Sequence, residues 1–314
     1  MQAGNPNILR HLDPVALARI SSLELRARMV VEGYFTGMHH SPHHGVSIEF
    51  ADHRAYVQGD DLRYIDWKVF GRTDKHYIKE YEQESNLNLM LVVDASESMN
   101  YRFRADGMTK YEYATTMAGS IAYLALQQQD SVGLAMFAER MTQFIRPSNS
   151  TQQWKTILHE LSQRSGAAKT SVHRMFNELA ERLTQRTLII VMSDLLVEQE
   201  QVIKGLKKLR YHNHEPMVWH ILDDAELNFP FDGPMKFVGL EDAGTLLIDA
   251  RAMRPRYLSE MQRFQEDLRS ACGKTRVDYA VFNTSHSLGV TLASFLGTRA
   301  ARLRQRSSRS LGAS

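Results

Sequence analysis

The motif with the clearest chemical meaning is Asp94-Ala-Ser96-Glu-Ser98, which directly follows the apolar run 89–93. One carboxylate and two hydroxyls, each two residues from the next, are hard oxygen donors of the kind that Mg²⁺ or Mn²⁺ prefers. Mg²⁺ takes about six oxygens and usually keeps some of its waters. The motif therefore supplies part of a coordination shell, and other ligands must come from elsewhere in the chain.

Two further oxygen donors stand where neighbouring strands of one sheet would end. Asp194 follows the apolar segment 187–192, and Thr170 precedes a segment with strong helical periodicity. Ligands of parallel α/β sheets bind at the carboxyl ends of the strands, so these side chains can meet in one crevice. The predicted metal ligands are Asp94, Ser96, Ser98, Thr170 and Asp194. Ser171 offers a second hydroxyl beside Thr170, and the choice between them stays open.

The segments that must position these residues alternate between strand-like and helix-like patterns, which predicts a mostly parallel α/β sheet. The predicted strands are 87–94, 132–137, 141–145, 187–192, 217–222 and 277–282. The predicted helices are 14–33, 110–128, 152–161, 172–183, 198–209, 256–271 and 288–296. Strand 141–145 follows its predecessor closely enough to form an antiparallel hairpin at the sheet edge.

Motifs of the common enzyme classes are missing from the sequence. It contains no Gly-x-Ser-x-Gly and no His-Glu-x-x-His, and Gly273-Lys-Thr275 lacks the earlier glycine of a phosphate-binding loop. We therefore expect a protein that is not an enzyme. Two alternatives stay open: a metal-dependent hydrolase such as a phosphoesterase that uses Asp94, and a structural adaptor whose strand-end residues bind no metal.

Composition narrows the class of protein. The only cysteine, Cys272, excludes a disulfide within the chain, and its place on the apolar face of a predicted helix indicates a core thiol. The 314 residues carry a net charge of +2 and include no apolar run near the ~20 residues of a membrane-spanning helix. We expect a cytoplasmic protein without a membrane span and without general affinity for nucleic acid.

The chain is expected to have three parts. Residues 1–83 form an N-terminal helix and an irregular docking segment, 84–297 form the α/β domain with a turn-rich insertion at about 226–249, and 298–314 form a disordered basic tail. The charged block 59–67 with Arg72 is interpreted as an ion-pair network, since acids beside arginine are usually neutralised pairs. The loop histidines are expected to be solvated; they are His39, His40, His43 and His44.

The strand-end motif with Asp194 resembles the metal-ion-dependent adhesion site of von Willebrand factor A domains. The N-terminal half, with Tyr-Val-Gln-Gly-Asp-Asp-Leu-Arg-Tyr-Ile-Asp-Trp at 56–67 and Lys-Glu-Tyr-Glu-Gln-Glu at 79–84, resembles the signature of the bacterial domain of unknown function 58 family. The resemblance covers about residues 23–296. It implies a Rossmann-like, von Willebrand A-type three-layer sandwich around a mostly parallel six-stranded sheet, with an N-terminal helix and irregular segment added.

The resemblance also implies roles for individual residues and a partner. Asp94, Ser96 and Ser98 match the adhesion-site motif and Asp194 its later acid, although Ser193-Asp194-Leu195 stands where the pattern has Thr-Asp-Gly. Members of the family occur with MoxR-type AAA+ ATPases. The expected function is a Mg²⁺- or Mn²⁺-dependent interaction module, an adaptor or co-chaperone-like partner that binds an acidic side chain of such an ATPase or of its client.

Overall fold

The computed structural model describes residues 13–39, 53–55, 77–79, 87–138, 140–163, 172–238, 244–289 and 292. Several predictions concern residues outside these ranges: Thr170, Ser171, the block 59–67 with Arg72, His40, His43, His44 and the tail 298–314. The chain divides into two compact units, one formed by Met1–His40 with Leu87–Ser314 and the other by Ser41–Asn86. The boundary expected at residue 83 and the docking of that segment stay predictions.

In the smaller unit, strands β1 (His53–Ala55) and β2 (Tyr77–Lys79) pair antiparallel, with His53 opposite Lys79. In the described part of the larger unit there are eight strands: β3 Asn88–Asp94, β4 Ser131–Phe137, β5 Met141–Ser148, β6 Leu188–Ser193, β7 Glu215–Leu222, β8 Pro234–Val238, β9 Thr245–Asp249 and β10 Asp278–Asn283. Six of them form one sheet in the order β10-β7-β6-β3-β4-β5.

All neighbouring pairs in this sheet are parallel except β4 and β5, which are antiparallel. β3 and β6 are direct neighbours, so the residues that follow them emerge at the same edge of the sheet. This arrangement confirms the predicted fold class, a Rossmann-like von Willebrand A-type sandwich with a mostly parallel six-stranded sheet and β5 as its antiparallel edge.

Helices cover both faces of the sheet. They are α1 Pro14–Ala18, α2 Leu23–His39, α3 Lys110–Gln127, α4 Gln153–Ser162, α5 Val172–Arg182, α6 Gln199–Tyr211, α7 Asp224–Asn228 and α8 Ala250–Lys274. Successive residues of β3 point to opposite faces: Leu91 and Val93 lie in the core beneath α2–α4, while Met90 and Val92 lie in the core beneath α5, α6 and α8. Burial on both faces explains why the central strands are uninterrupted apolar runs.

The prediction of one helix over 14–33 was wrong. The chain forms α1, breaks, and starts α2 after Ser22, whose hydroxyl accepts a hydrogen bond from the Leu25 amide at 3.3 Å. α2 then continues through Gly33 to His39, because one glycine costs a helix only ~1 kcal/mol. Within the larger unit α2 packs against α3, where the Ser120 hydroxyl of α3 donates to the Ala27 carbonyl of α2 at 3.2 Å.

The insertion at 226–249 contains the predicted hairpin, formed by β8 and β9 with Pro234 opposite Asp249. The hairpin is preceded by the short helix α7, which the sequence analysis did not predict. α8 begins at Ala250 rather than at residue 256, because the Asp249 carboxylate caps it by accepting from the Arg251 amide at 3.0 Å. Cys272 of α8 is buried as predicted, and this burial raises the pKa of its thiol to about 11.

Candidate metal centre

The Asp94 carboxylate is fixed at the carboxyl end of β3, where it is 1% exposed. Its Oδ1 accepts a hydrogen bond from the Ser96 amide at 2.9 Å. Its Oδ2 accepts from the hydroxyl of Ser193 at 2.6 Å, so the side chain is held between the ends of β3 and β6. The carboxylate is therefore oriented before any ligand arrives.

The two serine hydroxyls of the motif meet beside Asp94. Ser96 is extended and precedes the 3₁₀ helix Glu97–Asn100, and its Oγ lies 3.1 Å from the Oγ of Ser98. Both residues are buried. Adjacent oxygens around an octahedral Mg²⁺ with ~2.1 Å bonds lie roughly 3 Å apart. The spacing of the two hydroxyls fits two neighbouring ligands of such an ion.

Asp194 follows β6 and is also buried. Its Oδ2 accepts a hydrogen bond from the Lys110 ammonium at 2.7 Å, and its Oδ1 accepts from the Leu196 amide at 3.3 Å. Leu195, at the position where the adhesion-site pattern has glycine, has a φ of 51°. This left-handed conformation costs a side chain with a Cβ roughly 1–2 kcal/mol. The structure thus holds the turn after Asp194 with the buried Leu195 in place of glycine.

Lys110 is the residue that the sequence analysis missed. It is the first residue of α3 and has no solvent exposure. Its ammonium donates to Asp194 Oδ2 and to Glu226 Oε1, both at 2.7 Å. A signal was present in the sequence, since a lysine in the first turn of a helix opposes the helix dipole and indicates a specific partner.

His220 of β7 contacts the backbone of Asp194 through a hydrogen bond. Its Nε2 lies 2.9 Å from the Asp194 backbone carbonyl, and its Nδ1 lies 2.6 Å from the Tyr279 hydroxyl. A carbonyl can only accept, so Nε2 carries the proton and Nδ1 accepts from Tyr279. Burial lowers the pKa of His220 to about 4, which keeps the ring neutral at pH 7.

The charges of the site are unequal at the two strand ends. Burial, and next the charge of Asp194, raise the pKa of Asp94 to about 7, although hydrogen bonds from Ser193 and Ser96 oppose the shift. Burial lowers the pKa of Lys110, but the carboxylates of Asp194 and Glu226 outweigh it and the pKa lies above its usual value. Burial raises the pKa of Glu226 as well. Of the two strand-end carboxylates, Asp94 is therefore the one that faces no ammonium among the described residues.

The donor set fits one hard divalent ion. Three oxygens, from Asp94, Ser96 and Ser98, are gathered at the end of β3, while Asp194 is nearby but engaged by Lys110. Across the described ranges, no three or more His, Cys, Asp and Glu side chains are grouped so that they could hold a metal ion by themselves. A metal here would depend on the hydroxyls, and the predicted ligand Thr170 lies outside the described residues.

The model of the family described as "Protein of unknown function DUF58" matches residues 52–267. The chain belongs to this family. It is also 25% identical over 274 residues to an uncharacterized protein of Mycobacterium bovis and to one of Mycobacterium tuberculosis, which covers 85% of this chain and 81% of each relative. The expected family is thus confirmed.

Similar solved structures include the conserved hypothetical protein BatB from Bacteroides thetaiotaomicron. It has 12% identity and a TM-score of 0.43, with 68% of this DUF58 chain and 99% of BatB covered. The Rpn10 VWA domain has 13% identity and a TM-score of 0.37, with 66% of this chain and 93% of that domain covered. Among the helices that the structure describes, none has both the length and the apolar composition that a bilayer crossing requires.

Proposed function

We propose that this DUF58 protein is a metal-dependent protein–protein interaction module that takes an acidic side chain of its partner. The observation that carries the proposal is the convergence of the Asp94 carboxylate with the Ser96 and Ser98 hydroxyls, which lie 3.1 Å apart, at the carboxyl end of β3. This is the edge of a parallel sheet at which ligands bind. A bound Mg²⁺ or Mn²⁺ would supply a coordination position for a carboxylate.

In this proposal the residues at the end of β3 have different roles in holding the ion. Asp94 provides the charge that attracts the ion, and Ser193 and the Ser96 amide keep its oxygens in place. Ser96 and Ser98 contribute neutral oxygens, so they do not cancel the charge of the ion. An anionic ligand is then favoured over a neutral one, because charged groups in a partly dry site attract strongly.

A binding role fits the groups around Asp94 better than hydrolysis does. A hydrolase needs a base that can accept a proton near the reacting atoms. His220 is neutral, but both of its ring nitrogens are engaged, by the Asp194 carbonyl and by Tyr279. Lys110 is held as a cation by two carboxylates. These observations support a protein that is not an enzyme. Its proposed place of action is the cytoplasm, as the composition of the sequence led us to expect.

The partner in this proposal is a MoxR-type AAA+ ATPase or a client of that ATPase. The support for it is the family resemblance together with the chemistry of the site, which fits an Asp or Glu side chain of another protein. The partner's carboxylate would complete the shell that the oxygens of Asp94, Ser96 and Ser98 begin.

A binding assay with the purified full chain and the MoxR-type ATPase of the same organism tests this function. Association should require Mg²⁺ or Mn²⁺, fall with chelator and be lost in Asp94→Ala. Glu97→Ala is the matched control, because Glu97 is an exposed acid in the adjoining 3₁₀ helix. Equal association in excess chelator and in Asp94→Ala would refute the proposed interface, and turnover of a generic phosphoester by the wild type would favour the hydrolase instead.

A further inference from the structure

We infer that Lys110 determines the ligand specificity of this centre, because it withholds the Asp194 carboxylate from the metal. The inference rests on the proposed function and deepens it. With Asp194 paired to Lys110, Asp94 is the carboxylate of the centre that, among the described residues, faces no ammonium and can face the ion. The remaining positive charge of the ion then selects an acidic side chain of the partner. Lys110 thus acts through Asp194 and does not itself touch the ligand.

The geometry of the Lys110–Asp194 ion pair supports this inference. Lys110 Nζ and Asp194 Oδ2 are 2.7 Å apart, and the two side chains are 1% and 2% exposed. An ammonium and a carboxylate enclosed together interact far more strongly than an exposed pair, because little water screens them. The other Asp194 oxygen accepts the Leu196 amide at 3.3 Å. Both oxygens of Asp194 therefore already accept from donors of the chain, and one of those donors is a cation.

Glu226 shows that the lysine is anchored from two sides. Its Oε1 accepts from Lys110 at 2.7 Å, while its Oε2 accepts from the Asp223 amide at 2.7 Å in the capping box of α7. The two bonds of equal length hold the ammonium between Asp194 and Glu226. Lys110 thereby links α3, the turn after β6 and α7 into one cluster, in which Lys110 and Asp194 are buried and Glu226 is partly buried.

A purely structural salt bridge would affect stability but would not move two binding constants in opposite directions. The decisive variant is Lys110→Met combined with Glu226→Gln. It removes one charge of each sign, so the formal charge of the cluster is unchanged and only the engagement of Asp194 differs. Glutamine at residue 226 still serves the capping box, in which Glu and Gln are both found.

The measurements use Mn²⁺ and acetate as probes on the full chain. Calorimetry gives the Mn²⁺ affinity, and water proton relaxation of the Mn²⁺-loaded protein gives the acetate affinity, because a bound carboxylate displaces water. In the double variant we expect Mn²⁺ to bind at least about tenfold more tightly, since Asp194 can now face the ion. We expect acetate to bind at least about tenfold more weakly, since two carboxylates then offset the charge of the ion.

Two control variants separate this effect from a general loosening of the site. Glu226→Gln alone leaves Lys110 on Asp194, so the Mn²⁺ affinity should not rise. Lys208→Met removes a partly buried lysine of α6 that bonds Asn177 at 2.8 Å, so neither affinity should change. Circular dichroism and thermal melting establish that each variant is folded.

A second variant keeps the inference testable if the first does not fold. Lys110→Met with Asp194→Asn removes the pair as a unit and again leaves the formal charge unchanged. If Asp194 is withheld in the wild type, this variant keeps a Mn²⁺ affinity close to that of the wild type. A loss as complete as that in Asp94→Asn would show that Asp194 ligates the ion directly, and the inference would fall.

The outcomes distinguish this inference from the proposed function. If the wild type binds no Mn²⁺, both are overturned. If the wild type binds Mn²⁺ but the Lys110→Met, Glu226→Gln variant binds it no more tightly, or binds acetate equally well, the role of Lys110 is overturned and the metal centre stands. Opposite shifts of the two affinities support the inference.

Discussion

The ends of β3 and β6 each present a buried aspartate, yet the two carboxylates have opposite electrostatic surroundings. Asp94 is held by a hydroxyl and an amide and has its pKa raised to about 7 by burial and by the charge of Asp194. Asp194 faces the Lys110 ammonium at 2.7 Å. Among the described residues, the aspartate at the end of β3 therefore faces no cation, whereas the aspartate at the end of β6 faces Lys110.

Because Asp194 faces an ammonium and Asp94 does not, substitutions of the two aspartates should change the free energy of unfolding in opposite directions. Asp194→Ala leaves Lys110 buried with Glu226 alone, and breaking a buried pair typically costs ~3–5 kcal/mol. Asp94→Asn removes a charge that is costly to bury and keeps the shape of the side chain, so metal-free protein should unfold at a denaturant concentration equal to or above that of the wild type. Urea unfolding with chelator at pH 7 measures both. A greater loss of unfolding free energy in Asp94→Asn than in Asp194→Ala would contradict this account of the two aspartates.

The raised pKa of Asp94 predicts a pH dependence with a definite sign. A carboxyl whose pKa rises from 3.8 to about 7 on folding favours the folded state below pH ~4, and this contribution is lost as the pH rises to about 7. The stability of metal-free wild type relative to Asp94→Asn should therefore fall by a few kcal/mol over that range, since one pKa unit corresponds to ~1.4 kcal/mol.

Divalent ions provide the control for this pH effect. In the proposed function Mg²⁺ binds the ionised carboxylate of Asp94. Saturating Mg²⁺ should then raise the melting temperature of the wild type at pH 7 and leave that of Asp94→Asn unchanged. A flat difference between the two proteins across pH 4–7 without metal would show that Asp94 is not the group whose ionisation is penalised.

The Ser193 hydroxyl connects the ends of β3 and β6, so removing it tests how far the stability of one strand end depends on the other. Its hydroxyl donates to Asp94 Oδ2 at 2.6 Å and accepts from the Leu195 amide at 2.9 Å. Ser193→Ala leaves both groups buried without that partner, which costs ~1–3 kcal/mol. The matched control is Ser120→Ala, because the buried Ser120 hydroxyl bonds only backbone carbonyls, those of Ala27 and Thr116. Equal losses of unfolding free energy in the two variants would contradict a special role for Ser193.

The sequence was sufficient to predict that the side chains at the end of β3 converge. It was insufficient to predict the partners of Asp194 at the end of β6, and the reason is their separation in the chain. Asp94, Ser96 and Ser98 lie within five residues, so local backbone geometry brings them together once β3 is recognised as a buried strand. The partners of Asp194 come from α3, α7 and β7, which are distant in the chain. Only the packing of the sheet shows that Lys110 reaches Asp194, which lies 84 residues further along the chain.

The fold shows the same contrast between local and distant information. Apolar runs predicted the central strands β3, β4, β6 and β7, because those strands are buried on both faces. The edge strands β5 and β10 were predicted as well, although they are only partly buried. The boundaries set by single capping side chains were missed. Ser22 starts α2, Asp249 starts α8 and Asp223 starts α7, and each acts through a hydrogen bond that periodicity does not contain.

The smallest expected effect concerns the hydrogen bond beneath Asp194. Tyr279→Phe removes the donor to His220 Nδ1, which lies 2.6 Å from the Tyr279 hydroxyl, and should cost about 0.5–1.5 kcal/mol of unfolding free energy. The ring should stay neutral, since burial alone lowers its pKa, and Nε2 should still donate to the Asp194 carbonyl. Nitrogen NMR of the His220 ring tests this directly, because the two tautomers have distinct shifts at each nitrogen. A proton on Nδ1 in the wild type would show that Nε2 does not donate to Asp194, and the support that His220 gives to that strand end would have to be abandoned.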